Sequence, residues 1–375
     1  MFRISSDLIP FGSSAAMDLA WPEHFAADLE RIGEKIRSSG LRVSMHPGQY
    51  TVINSPDPEV ARRAALDLEY HNLPLDSLRL GPEHKIILHL GGVYGDKDTA
   101  KERFIKRWQD LSPAIRSRLV IENDDRLFTI RDVFDVSSRT GIPVVYDNLH
   151  NAINPADTSR PDLDWINLAA DTSRPDLDWI NLAADTWQPA DGRQKIHYSQ
   201  QDPDKRPGAH SSTIAVLPFL DFYEKLPDID IMLEVKDKNL SALKCINCIS
   251  NRGISALEAE WGRYKYSVLE HAPAAYQAVR QLLKDKRSYP AIEMYLLIEI
   301  ALAKEVQLGS AVTAAQHVWG YFCKQASPAE KSRWETALKK YINGAASLGS
   351  VKSVLQKLAF KYDEDYLNYS YYFEL

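Results

Sequence analysis

Seven short apolar, β-rich runs punctuate the first 250 residues: FRI (2–4), LRVSMH (41–46), KIILHL (85–90), RLVIEN (118–123), PVVYDN (143–148), QKIHYS (194–199) and DIMLEVK (230–236). Longer amphipathic stretches separate them. In WPEHFAADLERIGEKIRSSG (21–40), Phe25, Leu29, Ile32 and Ile36 recur at helical spacing and Gly40 is a stop signal. The same period predicts helices over 58–80, 99–111, 129–140, 212–226 and 239–249. Strand alternating with helix predicts an α/β fold with a parallel sheet. Seven such units predict a TIM-type (β/α) barrel rather than an open sheet, one unit short of the usual eight. Beyond residue 250 the strand-like runs cease. Helices are predicted over 258–285, 290–304, 312–325 and 327–344, the last opened by Ser327 as N-cap, Pro328 at the first helical position and Glu330 in the first turn. A closing aromatic stretch with Tyr362, Tyr366, Tyr369, Tyr371 and Tyr372 is expected to pack down. The chain thus divides into a barrel over 1–250 and an all-helical domain over 251–375.

One segment breaks the pattern. DTSRPDLDWINLAA stands at 157–170 and again, unchanged, at 171–184. Solenoid repeats diverge and need at least three copies to bury a core. A perfect pair reads instead as a recent tandem duplication or a sequence-assembly artefact, with one copy looped out or lengthening a helix without function.

Composition narrows the class. With 375 residues, 45% hydrophobic and 26% charged, the chain is ordinarily globular. It has no run of 18 apolar residues, so no membrane span is expected, and MFRISSDLIPFGSS lacks the apolar core of a secretory signal. Three cysteines cannot make a disulfide framework, which places the protein in a reducing cytoplasm. Cys245 and Cys248 form a lone C-x-x-C pair, read as structural. The net charge of −6 argues against broad non-specific nucleic-acid binding but leaves room for a local site whose cations offset the acids. The charge is uneven, net −9 over 1–250 and net +3 over 251–375.

The candidate chemistry gathers at the C-terminal ends of the predicted strands. His46 follows LRVSM, His89 ends KIILH, Glu122 ends RLVIE, Asp147 and His150 follow PVVY, His197 follows QKI, and Glu234 follows IML. His210 lies in the loop KRPGAHSS. In a (β/α) barrel these ends form one face, where active sites sit. A single histidine at a strand end is usually just hydrogen-bonded. Several imidazoles and carboxylates converging on one mouth would be costly without cations. The mixed donor set suits Mn²⁺ or Zn²⁺, and its oxygens shift the balance towards Mn²⁺. Two or three ions roughly 3.5–4 Å apart would suit phosphodiester cleavage. His24, His71, His84, His271 and His317 fall outside this face and read as surface or structural.

The motifs SMHPGQY (44–50), SPDPEV (55–60), ILHLGGVYGDKDTA (87–100), VIENDDR (120–126), PVVYDNLHNAINP (143–155), KIHYSQQDPDKRPGAHS (195–211) and LEVKDK (233–238) resemble the UV damage endonucleases, over residues 1–244. The resemblance implies a TIM barrel with a Mn²⁺ cluster, Mg²⁺ and Zn²⁺ being alternatives, that nicks double-stranded DNA 5′ of UV photoproducts and other distorting lesions. It implies His46, His89, Glu122, Asp147, His150, His197, His210 and Glu234 as metal ligands, with Glu122 and Glu234 also catalytic. It implies Lys195 as a lysine that can be carboxylated at the metal centre, which requires a depressed pKa. It implies Gln49 and Tyr50 as the pair that probes the lesion, filling the gap left by an everted dinucleotide.

Two departures stand against that pattern. Family members begin with a further strand and helix, and Ser14 occupies a position where they place a metal-ligating histidine. The helical stretch, through WGRYKYSVLEHAPAAYQAV (261–279) and HVWGYFCKQASPAEK (317–331), resembles a YbgA-like domain of unassigned function. Two other readings stay open on the residues alone: another xylose-isomerase-like barrel enzyme, either an abasic-site endonuclease or a sugar isomerase, and an inactive truncated remnant that only binds DNA.

Overall fold

The structure, a computed structural model, describes residues 1–14, 17–156 and 176–375. Its seven strands are β1 (Phe2–Ile4), β2 (Val43–Met45), β3 (Lys85–His89), β4 (Leu119–Glu122), β5 (Val144–Asp147), β6 (Lys195–Tyr198) and β7 (Asp230–Leu233). They pair in sequential order, every pair parallel. The central strands β4, β5 and β6 are buried at every position, as expected when helices cover a parallel sheet and side chains fill its inside. The sheet curls into a nearly closed barrel. Side chains bridge its edges: Arg3 of β1 pairs with Glu234, just after β7, and Arg42 donates to Asp230 at 2.5 Å.

Local signals set the helices. Asp57 caps Pro58–Ser77 by accepting from the Glu59 and Val60 amides, and Thr129 with Asp132 forms a capping box before Ile130–Thr140. Gly141, at φ 75°, closes that helix in the left-handed conformation that glycine adopts without strain. The helix expected over 21–40 is two, Trp21–His24 and Ala26–Ser38, because Phe25 leaves helical backbone geometry (ψ 16°). The stretch expected over 258–285 also divides, into Ile254–His271 and Pro273–Leu282. Pro273 has no N–H to continue the ladder and forces Ala272 to an extended φ of −151°.

The duplicated segment contributes to the core. Its second copy supplies the helix Asp176–Ala184, which buries Trp179, Ile180 and Ala183. Phe134 stacks on Trp179 at 6.0 Å, and Gln194 donates to Ile180 O at 2.6 Å. Residues 176–184 of the second copy therefore pack into the core, and the expectation that one copy is looped out or lengthens a helix without function falls on the first copy, which lies outside the described residues.

The chain separates into two compact units, one of Met1–Ile214 with Phe222–Lys238, the other of Ala215–Asp221 with Asn239–Leu375. The helix Asn239–Ile249, placed with the barrel on sequence, belongs to the second unit. There Lys244 pairs with Glu299 at 2.8 Å and Asn247 donates to Tyr295 at 2.8 Å. Leu348–Lys361 is a helix that the sequence reading did not assign, although Val351, Leu355 and Leu358 bury at helical spacing. Of the closing aromatics, Tyr371 and Tyr372 are fully buried, whereas Tyr369 is exposed. No helix among the described residues is long and apolar enough to cross a membrane, and all three cysteines are free.

Candidate metal centre

Register builds the site. His89 on β3 stands beside Glu122 on β4, and Asp147 on β5 beside His197 on β6. Glu122 itself stands beside Val145, so Asp147 and His197 lie two residues further along on the same inner face, and all four gather at the strand C-ends. His46 joins from the residue after β2, Glu234 from the residue after β7, and His150 from the first turns of the short helix Asn148–Ile153. Asp147 caps that helix, accepting the His150 N–H at 2.8 Å, which turns the imidazole back over the mouth.

Glu122 is the hub. It is fully buried, and its two oxygens take different partners: Oε1 meets His197 Nδ1 at 2.7 Å and Oε2 meets His46 Nε2 at 3.0 Å. His89 Nε2 is 3.8 Å from Oε2 and His150 Nδ1 3.7 Å from Oε1. Glu234 accepts from Arg3, lies 3.1 Å from His197 Nδ1 and 3.7 Å from His210 Nδ1. The structure thus brings donor atoms into two groups within 4.8 Å, His46–Glu122–His197–Glu234 and Glu122–Asp147–His150, with Glu122 in both. His89 and His210 border them, with His89 5.2 Å from the His46 ring and 5.5 Å from that of His150.

The electrostatics are those of three acids packed among imidazoles. Burial pushes His46 down to about 4 despite its bond to Glu122, so the imidazole is neutral. Burial alone would raise Glu122, but His197 and His89 with two histidine hydrogen bonds hold it well below the ordinary carboxylate value. Glu234 is likewise held low, against burial, by Arg3 and His197. Burial pushes Asp147 up to about 6, with Glu122 and Glu234 adding to the rise. Burial opposes charge on His150 too, yet Asp147, Glu122 and Glu234 raise it to about 9. Protons thus partly stand in for positive charge among three acids. The buried atoms Asp147 Oδ2 and His89 Nδ1 have no hydrogen-bond partner. Orphaned donors of ligating type inside an acidic cluster fit divalent ions.

Lys195 sits two residues before His197 on β6, so both face the same side of the strand. It is fully buried, and its Nζ has no hydrogen-bond partner. Burial, aided by Arg3, holds its pKa well below the lysine value. The contrast with Lys85 is informative: equally buried, Lys85 donates to Asp191 at 2.6 Å and to Ser117 O at 2.8 Å. Gln49 and Tyr50 lie apart from the donor groups, on the turn after His46 and both exposed, Tyr50 by 72%. The Tyr50 ring folds over Gly48, where a Cβ would come within 2.3 Å of it. Ser14 is exposed and in neither donor group.

Two residues escaped the sequence reading. Arg3 interrupts an apolar run and reaches both Glu234 and His197 Nε2, the latter at 3.4 Å. Asn123 is fully buried, clasps the backbone of Asp147 through both side-chain ends and accepts the His150 Nδ1–H at 2.9 Å. The available signals were a charge inside a strand and an amide directly after a strand-end acid. The five histidines set aside behave as expected where they are buried: His71, for example, bonds Asp67 O at 2.6 Å and the Ser6 hydroxyl at 3.0 Å.

Known proteins share this barrel. The family described as UV-endonuclease UvdE matches residues 1–261. The chain belongs to that family. It is 43% identical over 291 residues to the UV DNA damage endonuclease of Clostridium perfringens, covering 76% of this chain and 67% of that one. It is 31% identical over 264 residues to the UV DNA damage endonuclease of Bacillus velezensis, covering 68% and 77%. A solved structure, the crystal structure of SacUVDE, superposes with a TM-score of 0.58 at 38% identity, covering 66% of this chain and 79% of that one. Membership in a family of DNA-repair nucleases favours that reading of the strand-end residues over a sugar isomerase. Residues 265–375 match a protein family of unknown function, DUF1722.

Proposed function

We propose that the barrel holds two divalent ions, Mn²⁺ by preference, and nicks double-stranded DNA 5′ of UV photoproducts and other distorting lesions. The observation that carries this reading is the Glu122 carboxylate, whose oxygens belong to two donor groups at once. His46, His197 and Glu234 would hold one ion with Glu122, and Asp147 with His150 the other. His89 and His210 stand at the rim of these groups. Such a pair of ions supplies an activated water and charge stabilisation for the leaving oxygen.

The protein's own residues do the rest. Burial keeps the His46 ring neutral, so it sets no positive charge against a cation. Arg3 sets the Glu234 carboxylate and balances its charge. Asn123 fixes the direction of the His150 ring through its carbonyl. Lys195 is unbonded and burial holds its pKa well below the ordinary lysine value, which favours uptake of carbon dioxide as a carbamate and so a further anionic donor. Gln49 and Tyr50 project from the mouth, where the exposed ring can enter a distorted base step. A damaged step costs less to open, so selectivity can come from deformability.

Elemental analysis of protein purified without chelator, paired with cleavage of a photoproduct duplex before and after chelation, tests the proposal. The expected result is close to two manganese per chain, loss of cleavage on chelation and its return with Mn²⁺. Less than about 0.2 metal per folded chain, a tenth of the two ions expected, would overturn it.

A further inference from the structure

The helical unit carries a cleft that the barrel's chemistry does not use. It has a volume of about 450 Å³ and is lined by residues of Ile254–His271, of Pro273–Leu282 and its C-terminal turn, and by Tyr366. Three aromatic rings form its walls. Trp261 and Tyr276 lie 5.6 Å apart, and the half-exposed Tyr366 ring is held by a hydrogen bond to Gly262 O at 2.9 Å and by stacking on Tyr321 at 5.9 Å. Gly262 suits this approach, since a Cβ there would stand 3.2 Å from the Tyr366 hydroxyl oxygen.

Cations interleave with the rings. Lys265 Nζ lies 4.6 Å from the centre of the Tyr366 ring, and the Arg280 guanidinium 5.5 Å from that of Tyr276. Among the described residues neither cation has a carboxylate partner. Lys284 adds a further positive charge, and the lining acid Glu258 is bound to Lys286. Burial, with Arg280 nearby, lowers the Lys265 pKa, as expected of a half-buried ammonium lacking a counter-ion.

A simple anion would engage the cations and leave the rings idle, whereas an apolar ligand would do the reverse. A nucleotide engages both, base on ring and phosphate on cation. A duplex keeps its base faces stacked inside and cannot offer them. We propose that this cleft binds unpaired DNA, a base taking the place of the Lys265 and Arg280 side chains over Tyr366 and Tyr276 while those two cations swing to the flanking phosphates.

The test uses the full chain in EDTA, with a short fluorescein-labelled oligothymidylate and fluorescence anisotropy across a salt series. Lys265→Met with Arg280→Gln removes both charges and keeps most of the side-chain bulk. Binding should fall roughly tenfold or more, and the slope of log affinity against log salt by about 1.4, two phosphates' worth for a single strand. Tyr366→Leu should weaken binding roughly tenfold with the salt slope unchanged. Cleavage of a photoproduct duplex should match the parent in both variants; the melting temperature should match in the charge variant and fall by only a few degrees in Tyr366→Leu, about one hydrogen bond's worth. The assignment is overturned if the parent fails to bind, if the double variant binds as the parent does, or if only the matching oligoribonucleotide is bound.

Discussion

Glu122→Gln is the most informative single change, because the side chain keeps its shape and loses only its charge and one acceptor. In the wild-type chain Glu122 meets His197 at 2.7 Å and His46 at 3.0 Å. A hydrogen bond to a charged group contributes about 1.5–3 kcal/mol. The glutamine carbonyl can replace one of the two bonds, so the metal-free protein should lose about one bond's worth. At roughly 2–4 °C per kcal/mol for a domain of this size, the melting temperature should fall by about 3–12 °C, well short of unfolding. The effect on metal should be far larger. Both donor groups contain Glu122, so both ions should go, leaving a stoichiometry near zero. Asp147→Asn is the control, since Asp147 belongs to only one group. It should release one ion and leave the other. Both variants are to be compared with the parent by elemental analysis and by calorimetric titration with Mn²⁺. If Glu122→Gln retained both ions, or Asp147→Asn released both, the shared-carboxylate reasoning would be wrong.

Three further outcomes are expected. Removing one copy of the duplicated segment should preserve the fold; the copies being identical, deletion of 157–170 and of 171–184 yields the same chain, which still supplies the Trp179-type helix and shortens the 22 residues between Ile153 and Asp176 to eight. Loop-closure entropy then favours the deletion by about 1 kcal/mol, and a drop in melting temperature would show that the fold draws stability from having both copies. Tyr50→Ala should cut cleavage of a photoproduct duplex roughly 5- to 150-fold at unchanged metal content, because stacking contributes about 1–3 kcal/mol per base, and Gln49→Ala should act the same way but less; unchanged cleavage kinetics would return Tyr50 to the status of a loop aromatic. The last concerns pH. His150 is raised from 6.5 to about 9 in the metal-free fold, so its stabilising contribution is fully present below pH 6.5 and is lost as pH rises towards 9. That loss is on the order of 3 kcal/mol, while metal affinity should climb over the same window as the ring sheds its proton. Thermal melts with and without Mn²⁺ from pH 6.5 to 9 measure both, and a metal-free melting temperature that rose across that range would contradict the assignment.

Much of the architecture was open to a reading of the chain alone. All seven strands lie within the apolar runs that announced them, because strands covered on both faces, such as β4 and β5, are apolar up to their C-terminal ends. The ligand-type residues were legible for a related reason: at those strand ends the apolar rule is broken by His89, Glu122, Asp147 and His197, and so few physical circumstances tolerate such residues that their repetition is informative. Helix ends were less legible. Pro273 could be read as a break, but Phe25 follows from no local rule.

What only the tertiary structure decided is how these residues share one another. Glu122 as common member of two donor groups depends on strand register and on the curl that brings β1 and β7 together, and neither is written in any local pattern. The partnership of Arg3 with Glu234 spans 231 positions of sequence. The opposite states of two buried lysines, Lys85 paired and Lys195 unbonded, depend on what the far side of the barrel presents to each. Likewise the last nine residues of the second duplicated copy are identical to those of the first, so composition could not say that they fill the space beside Phe134. Local sequence sets period, caps and chemistry; long-range packing sets distance, burial and charge, and the reactivity of this site depends on all three.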